Sequence, residues 1–430
     1  MNITEASKIA KKASISLAAC SGDIKNSALK AIADTLIARK EDIIKANQED
    51  IERSQKENLA MPLLKRLKFD EAKIDEVVKG IYSLINLKDP VGETLWSIEL
   101  DEGLDLYRIS CPIGVIGIIF ESRPDALVQI STLCLKSGNA ALLKGGREAN
   151  KTNQILTEII KEATVKAGIP EGWIHLLETR EDVTKMLKLD EYIDLLIPRG
   201  SNEFVKYIME NSTIPVMGHA DGICHCYVDQ FADLDMACDI VVDSKTQYVA
   251  VCNATETLLV HEEVADKFLP VLKKKMDDNK VTLIGCSKTQ QIIDVAAASQ
   301  EDWKTEYLDY TLSIKVVKDL KEAIDHINIY GSGHTDAIIT ANEDNAKKFM
   351  ELVDTANAFW NCSTRFSDGF RYGFGAEVGI STNKLHARGP VGLDGLLIYK
   401  YKLIGNGQKV ADYANKTKTF KHNVTNKKFK

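Results

Sequence analysis

Ser244-Lys245-Thr246-Gln247-Tyr248-Val249-Ala250-Val251-Cys252-Asn253-Ala254-Thr255-Glu256-Thr257-Leu258-Leu259-Val260 decides how this chain is read. A small polar run of turn character ends in an apolar segment that carries one cysteine. The chain then passes into Thr257-Leu258-Leu259-Val260, which reads as a strand. A thiol at such a loop–strand junction can face a cleft while the backbone behind it stays fixed. Thiolate is the reactive form, and a free thiol titrates near pH ~8.5, so a working site supplies positive charge or amide dipoles. A cysteine taken singly is more often a buried apolar residue. The rest of the chain has to decide.

At 430 residues the chain is long enough for two or three domains. Its 44% hydrophobic and 27% charged content is that of a globular protein with sizeable cores. A net charge of -7 excludes a general nucleic-acid binder, which needs a basic surface. No run approaches the roughly 18 consecutive apolar residues of a membrane span, and Met1-Asn2-Ile3-Thr4-Glu5 lacks the basic-then-apolar form of a secretory signal. Nine scattered cysteines, an odd number, fit free thiols in a reducing compartment. The expectation is a cytoplasmic protein. The last fifteen residues hold six lysines and read as a solvated or partly disordered end.

Residues from about Thr4 to Asn86 read as helices: Ile9, Ala13, Leu17 and Cys20 recur at helical spacing, as do Leu29, Ile32, Ala33 and Leu36. Met61-Pro62 interrupts the pattern, and Asp70 is the N-cap expected for a helix through Val77. Leu95–Leu100 and Leu104–Ile109, joined by Asp101-Glu102-Gly103, predict a β-hairpin. From Gly114 to about Asp229, apolar runs at Gly114–Phe120, Ala140–Lys144, Trp173–Leu177, Asp194–Pro198 and Cys226–Asp229 alternate with helical stretches. That alternation implies a mainly parallel sheet with its ligand crevice at the strands' carboxyl ends. Leu234–Val242 is then expected as a helix, Asp309–Val317 as a strand and Lys321–Asn328 as a helix. Cys224-His225-Cys226 invites a metal reading, but alternate strand residues face opposite ways and no second ligand pair follows, so no metal is assigned.

The cysteine stretch resembles the nucleophile segment of the aldehyde dehydrogenase superfamily. The likeness extends to Glu121-Ser122-Arg123-Pro124, His219-Ala220-Asp221-Gly222-Ile223-Cys224-His225, Ser363-Thr364-Arg365-Phe366, and Gly379-Ile380-Ser381-Thr382 through His386-Ala387-Arg388-Gly389-Pro390. These stretches run in family order over nearly the whole chain, and they are most similar to the branch that reduces L-glutamyl 5-phosphate in proline synthesis. The resemblance implies an α/β protein of three parts. Residues 1–228 would be a Rossmann-type cofactor-binding domain, including the hairpin at about 95–109. Residues 229–384 would be an α/β catalytic domain with the nucleophilic Cys252. Residues 385–430 would be a return segment whose strand, within Leu396–Tyr401, completes a small β oligomerisation arm. A homo-oligomer, dimer or tetramer, follows from the likeness, with glutamate 5-kinase as a further partner to consider.

The same resemblance implies the chemistry. Cys252 would displace phosphate from L-glutamyl 5-phosphate, and NADPH would reduce the resulting thioester to L-glutamate 5-semialdehyde. Hydrolytic relatives carry Glu-Leu-Gly-Gly-Lys, whose glutamate activates water. The matching Val216-Met217-Gly218-His219-Ala220-Asp221-Gly222 has no glutamate, which disfavours the alternative of a hydrolytic NAD(P)-dependent enzyme acting on another small aldehyde. Substrate contacts fall to Arg123, His219, His225, Asn253, Arg365, His386 and Arg388, and cofactor contacts to Lys144, Gly146, Arg147, Gly200, Ser201 and Glu306. Many relatives have Lys-Pro-Ser/Ala-Glu where Lys144-Gly145-Gly146-Arg147 stands. An acid repels a 2′-phosphate and Arg147 attracts it, so NADP(H) is favoured.

Overall fold

The structure is a computed structural model that describes residues 2–178, 180–219 and 221–429. It divides into two units: Met1–Gly200 with Tyr207–Met217 and Gly392–Lys430, and Ser201–Lys206 with Gly218–Val391.

The helical lead-in of the first unit is Ile3–Leu17, Gly22–Ala38, Lys40–Lys56, Met61–Leu67 and Glu71–Asn86. Leu29, Ile32, Ala33 and Leu36 are all fully buried, as their spacing predicts. In the first helix the buried stripe is Ile3, Ala6, Ala10, Ala13 and Leu17, and Ile9 stays 39% exposed. Small alanines let that helix come close to the sheet beneath, and a bulkier Ile9 is turned outward. Asp70 accepts from the Lys73 amide at 3.1 Å, but the helix it caps runs on to Asn86. Met61-Pro62 starts a short helix where an interruption was expected, because proline is tolerated in a first turn.

The hairpin is β1 (Thr94–Asp101) and β2 (Leu104–Pro112), turned at Gly103 with φ +68. β2 pairs antiparallel with Leu397–Ile404, with Ile109 opposite Lys400. The lysine-rich end is largely exposed, as expected, but it is paired to the hairpin instead of disordered. Asn423–Thr425 pairs with β1, Lys427 reaches Asp105 at 2.7 Å, and Phe429 packs edge-on against Tyr107. The hairpin's own Glu99, Asp101 and Asp105 supply the countercharge that the tail lacks.

β3 (Val115–Phe120), β4 (Ala140–Lys144), β5 (Ile174–Leu177) and β6 (Leu195–Arg199) form a parallel sheet in the order β5-β4-β3-β6. Every residue of β3 and β4 is buried, as expected of parallel strands covered on both faces. The order reverses between β3 and β6, so the ligand crevice belongs at their carboxyl ends. There the Glu121 amide donates to the Arg199 carbonyl at 3.0 Å.

The second unit is built on seven parallel strands. They are β7 (Cys224–Val228), β8 (Thr255–His261), β9 (Thr282–Gly285), β10 (Ala296–Ala297), β11 (Thr311–Val317), β12 (Thr335–Ile339) and β13 (Asn357–Trp360), in the order β10-β9-β11-β8-β7-β12-β13. β7 corrects the expected boundary at residue 228. It lies between β8 and β12 in this sheet and not in the first, because its five buried residues need two flanking strands and helices on both faces. Alternation sorts those faces: Cys226, Val228, Leu258, Val260, Ala337 and Ile339 meet one set of helices, and Tyr227, Leu259 and Ile338 the other. The expected helix at 321–328 runs Leu320–Tyr330, capped by Asp319. No helix among the described residues is long and apolar enough to cross a membrane.

Candidate active site

The helix Leu234–Thr246 ends just before Cys252, and β8 begins just after it. The intervening loop is held at both ends by a fully buried ion pair, Lys245 Nζ to Glu256 Oε2 at 2.5 Å. Burial pushes the Lys245 ammonium down and the Glu256 carboxyl up, to about 7, while each partner's charge opposes the shift of the other. Glu256 Oε1 also accepts from the Leu308 amide at 3.3 Å. The pair therefore fastens the cysteine loop to the segment that carries Glu306.

Cys252 is half-buried in a turn. A β-carbon at Gly222 would lie 2.2 Å from the Cys252 carbonyl oxygen and 2.5 Å from its Cβ, so only glycine fits behind the thiol. Cys224 Sγ donates to the Cys252 carbonyl at 3.1 Å. Asn253 is buried, with Nδ2 on the Ser367 carbonyl at 2.7 Å, and Thr364 Oγ1 donates to the Asn253 carbonyl at 2.7 Å. Arg365 is buried beside the loop, its Nε donating to Gln247 Oε1 at 3.0 Å. Burial and neighbouring Arg371 lower the Arg365 guanidinium's affinity for its proton, and Cys252 opposes them. His219 donates from Nδ1 to the Ile380 carbonyl at 2.9 Å and stands edge-on to His334 at 5.0 Å. Glu306 accepts from Asn202 Nδ2 at 2.5 Å, and burial raises its carboxyl against the opposing donation of Asn202 and the Gly222 amide.

Cys252, Asn253, His219 and Arg365 thus gather at one place, with Glu306 joined through Gly222. Other expected substrate residues stand elsewhere in this unit. His225 is fully buried on β7 and bonded to Asp336 Oδ1 at 2.9 Å, on the face opposite Cys224 and Cys226. Strand alternation puts it there, against His326 at 5.7 Å. Arg388 pairs with Asp354 at 3.1 Å and borders a cavity of about 260 Å³ with Ser332, Gly333, Asp336 and Thr382. His386 is exposed in the loop before it.

In the first unit, Arg123 pairs with Asp125 at 2.9 Å at the start of the helix that follows β3. Lys144 ends β4, buried, with Nζ on the Gly145 carbonyl at 2.5 Å. Gly146 lies against Glu148, whose carboxylate accepts from both the Ser122 amide and hydroxyl at 2.6 Å. An acid is present at this loop after all, one residue beyond Arg147 and turned toward Ser122. Arg147 is 82% exposed and paired with Glu57 at 2.8 Å. Gly200 follows β6 in this unit, whereas Ser201 belongs to the second.

A family model described as "Aldehyde dehydrogenase family" matches residues 1–309. The chain belongs to the aldehyde dehydrogenase family. It is 71% identical over 429 residues to a gamma-glutamyl phosphate reductase of Acetivibrio thermocellus, covering 100% of both chains. A gamma-glutamyl phosphate reductase of Pelotomaculum thermopropionicum is 67% identical, over 100% of this chain and 99% of that one. A crystal structure of gamma-glutamyl phosphate reductase from Thermotoga maritima superposes with a TM-score of 0.93 at 42% identity, covering 95% of this chain and 100% of that one. The α/β fold of the aldehyde dehydrogenase family and the oxidoreductase class follow.

Membership of the aldehyde dehydrogenase family implies a nicotinamide cofactor, and the residues present fit one. A strand order that reverses at β3/β6, with buried Lys144 at a carboxyl end, suits a dinucleotide's phosphates.

His334 is the site residue that sequence reading passed over. It follows Gly331-Ser332-Gly333 and directly precedes β12, and that glycine-flanked junction was the available signal. Burial, with His219 adding to it, holds its imidazole neutral.

Glu256→Gln leaves the Lys245 ammonium buried without its carboxylate, and is expected to lower the unfolding free energy by about 3–5 kcal/mol. The double variant Lys245→Met/Glu256→Leu recovers most of that loss in urea unfolding. Equal losses in the two variants would show that the pairing does not matter.

Proposed function

We propose that the chain reduces L-glutamyl 5-phosphate to L-glutamate 5-semialdehyde, with NADPH as reductant and Cys252 as nucleophile. The observation that carries this is a half-buried thiol with Arg365 and His219 around it, in a unit whose buried Glu256 and half-buried Glu306 are already engaged by donors. A thiol ester awaiting water would need a carboxylate base. One displaced by phosphate, or reduced, does not.

The Cys252 thiolate attacks the acyl carbon, and phosphate leaves with the bonding pair of the C–O bond. The acyl group is then held on Sγ as a thioester. The nicotinamide, when bound, supplies a hydride. Cys252 departs as a thiolate when the aldehyde forms, and a proton from solvent restores the thiol. Arg365 is read as the cation that meets the acyl phosphate, and Asn253 as the anchor of the thiol's backbone. Lys144, Gly146 and Gly200 would hold the dinucleotide.

The preference for NADPH rests on Arg147. An exposed pair such as Arg147–Glu57 is worth at most about 1 kcal/mol, so the guanidinium is available to a 2′-phosphate. The exposed edge at Leu397–Ile404, with Ile398, Tyr399, Tyr401 and Leu403 outward, is read as the contact between copies in a homo-oligomer.

Oxidation of L-glutamate 5-semialdehyde with NADP+ should require phosphate and fall by at least about 10⁴-fold in Cys252→Ala. Turnover without phosphate would point to the hydrolytic alternative, and a fully active variant would remove Cys252 from the chemistry. In Arg147→Ala, KM for NADPH should rise about tenfold while KM for NADH changes little; parallel changes would take the 2′-phosphate away from Arg147. Sedimentation velocity should give a dimer or tetramer that dissociates in Tyr401→Glu, and a monomeric parent chain would overturn that reading.

A further inference from the structure

Cys252, His219 and His334 come from three separate segments, yet one ligand atom from each lies within 4.8 Å of the other two. Two features of the histidines go beyond proximity. The His219 Nδ1–H donates to the Ile380 carbonyl, so in the neutral ring Nε2 is the nitrogen that can ligate. Backbone carbonyls behind the far nitrogen are the usual support of metal-binding imidazoles. His334 is fully buried, with Nδ1 at 2.8 Å from Thr335 Oγ1 and 3.6 Å from Cys224 Sγ. Its Nε2 is buried with no hydrogen-bond partner. A buried orphan nitrogen is costly; His175, His225 and His326 leave Nε2 unpartnered as well, but His334 is the one that stands with Cys252 and His219.

We infer that Cys252, His219 and His334 form a binding site for a borderline-soft divalent cation of the zinc class, which reversibly caps the thiol. One sulfur and two imidazole nitrogens are the ligands such an ion prefers over oxygen-rich sites. Bonds of about 2.0–2.3 Å in a tetrahedron set ligand atoms about 3.3–3.8 Å apart, so the trio needs to contract by only about 1 Å. Three protein ligands leave a fourth position for water. On binding, the Cys252 S–H bond breaks, its electron pair goes to the cation and its proton to solvent. A thiolate held this way cannot attack an acyl carbon. The consequence for turnover rests on Cys252 being the nucleophile; the binding itself does not.

One glycine serves the same geometry. Gly222 brings the Cys252 backbone close to β7. The Cys224-His225-Cys226 run that suggests a metal in the sequence is split between two strand faces. The site proposed here is assembled instead from residues 219, 252 and 334, which share no local motif.

Cobalt(II) added anaerobically to the full-length, fully reduced protein provides the probe, because thiolate ligation gives a charge-transfer band in the near ultraviolet. One cobalt per chain is expected, with the band abolished in Cys252→Ser and the affinity at least about 10-fold weaker in His334→Gln and in His219→Gln. Thermal melting confirms that each variant is folded. Should His334→Gln melt early, His219→Gln at the half-buried position carries the test alone. Zinc should displace the cobalt, suppress turnover of the parent enzyme and be fully reversed by a chelator. A band that persists in Cys252→Ser, or affinities unchanged in both histidine variants, would overturn the inference. Loss of turnover in Cys252→Ser is expected whichever way the cobalt result falls, so the two readings fail separately.

Discussion

A lysine and a glutamate, both removed from water, close the loop that holds the thiol. Neither the Lys245 ammonium nor the Glu256 carboxylate is tolerable alone at 0% exposure, and burial shifts each toward its neutral form. Together they tie the end of the helix Leu234–Thr246 to the start of β8. Because Glu256 also accepts from the Leu308 amide, the same pair holds the segment bearing Glu306. Glu306 in turn engages Asn202 and the Gly222 amide, and Gly222 lies against Cys252. A chain of single contacts therefore runs from the ion pair around the loop and back to the thiol.

The position of this site in its sheet is unusual for parallel strands. Gly222, Cys252 and His334 each stand just before a strand, β7, β8 and β12 respectively. Parallel α/β sheets ordinarily bind ligands at the carboxyl ends, which is where Lys144 and Gly200 lie in the first unit. The thiol is at the amino edge of the second sheet. At that edge the strands are central, so the residues that stand directly before them take their backbone position from the sheet. Removing one β-carbon, at Gly222, is enough to let β7 and the cysteine turn meet.

This division also explains what was legible in the sequence. Cys252, Asn253 and Arg365 lie in contiguous motifs, and the strand after Cys252 announces itself by composition. The sheet of the first unit was readable because each strand is a continuous apolar run. β7 looked like one more member of that series, since a buried strand carries no mark of which sheet it will join. His225 was taken with His219 for the same reason: six residues separate them in sequence, but strand alternation points His225 at Asp336. His334 lies between Gly331-Ser332-Gly333 and Thr335-Asp336, a run with the composition of an ordinary loop–strand junction, so little beyond its glycines marks the histidine. The basic tail's pairing with the hairpin was not legible because its countercharges lie in β1 and β2, far away in the chain.

Environment then sorts the nine free thiols. Burial pushes Cys134 up to about 12 and Cys226 to about 11, and lifts Cys224 well above its ordinary value, so these three are inert. Cys286 is different: burial would raise it, but donation from Thr289, Val316 and Lys288 outweighs that and lowers it. Its sulfur is nonetheless spent on those donors, with the Val316 amide at 3.4 Å. Cys252 alone among these five combines a turn position, a β-carbon-free neighbour at Gly222 and a buried guanidinium at Arg365. A nucleophile requires a thiol whose negative charge is favoured by something it does not itself have to bond. At Cys252 the buried guanidinium of Arg365 lies beside the loop, donating to Gln247. A cation anchored on Gln247, beside a half-buried thiol on a turn that only a glycine at 222 can back, is what sets this loop–strand junction apart from the surroundings of the other four.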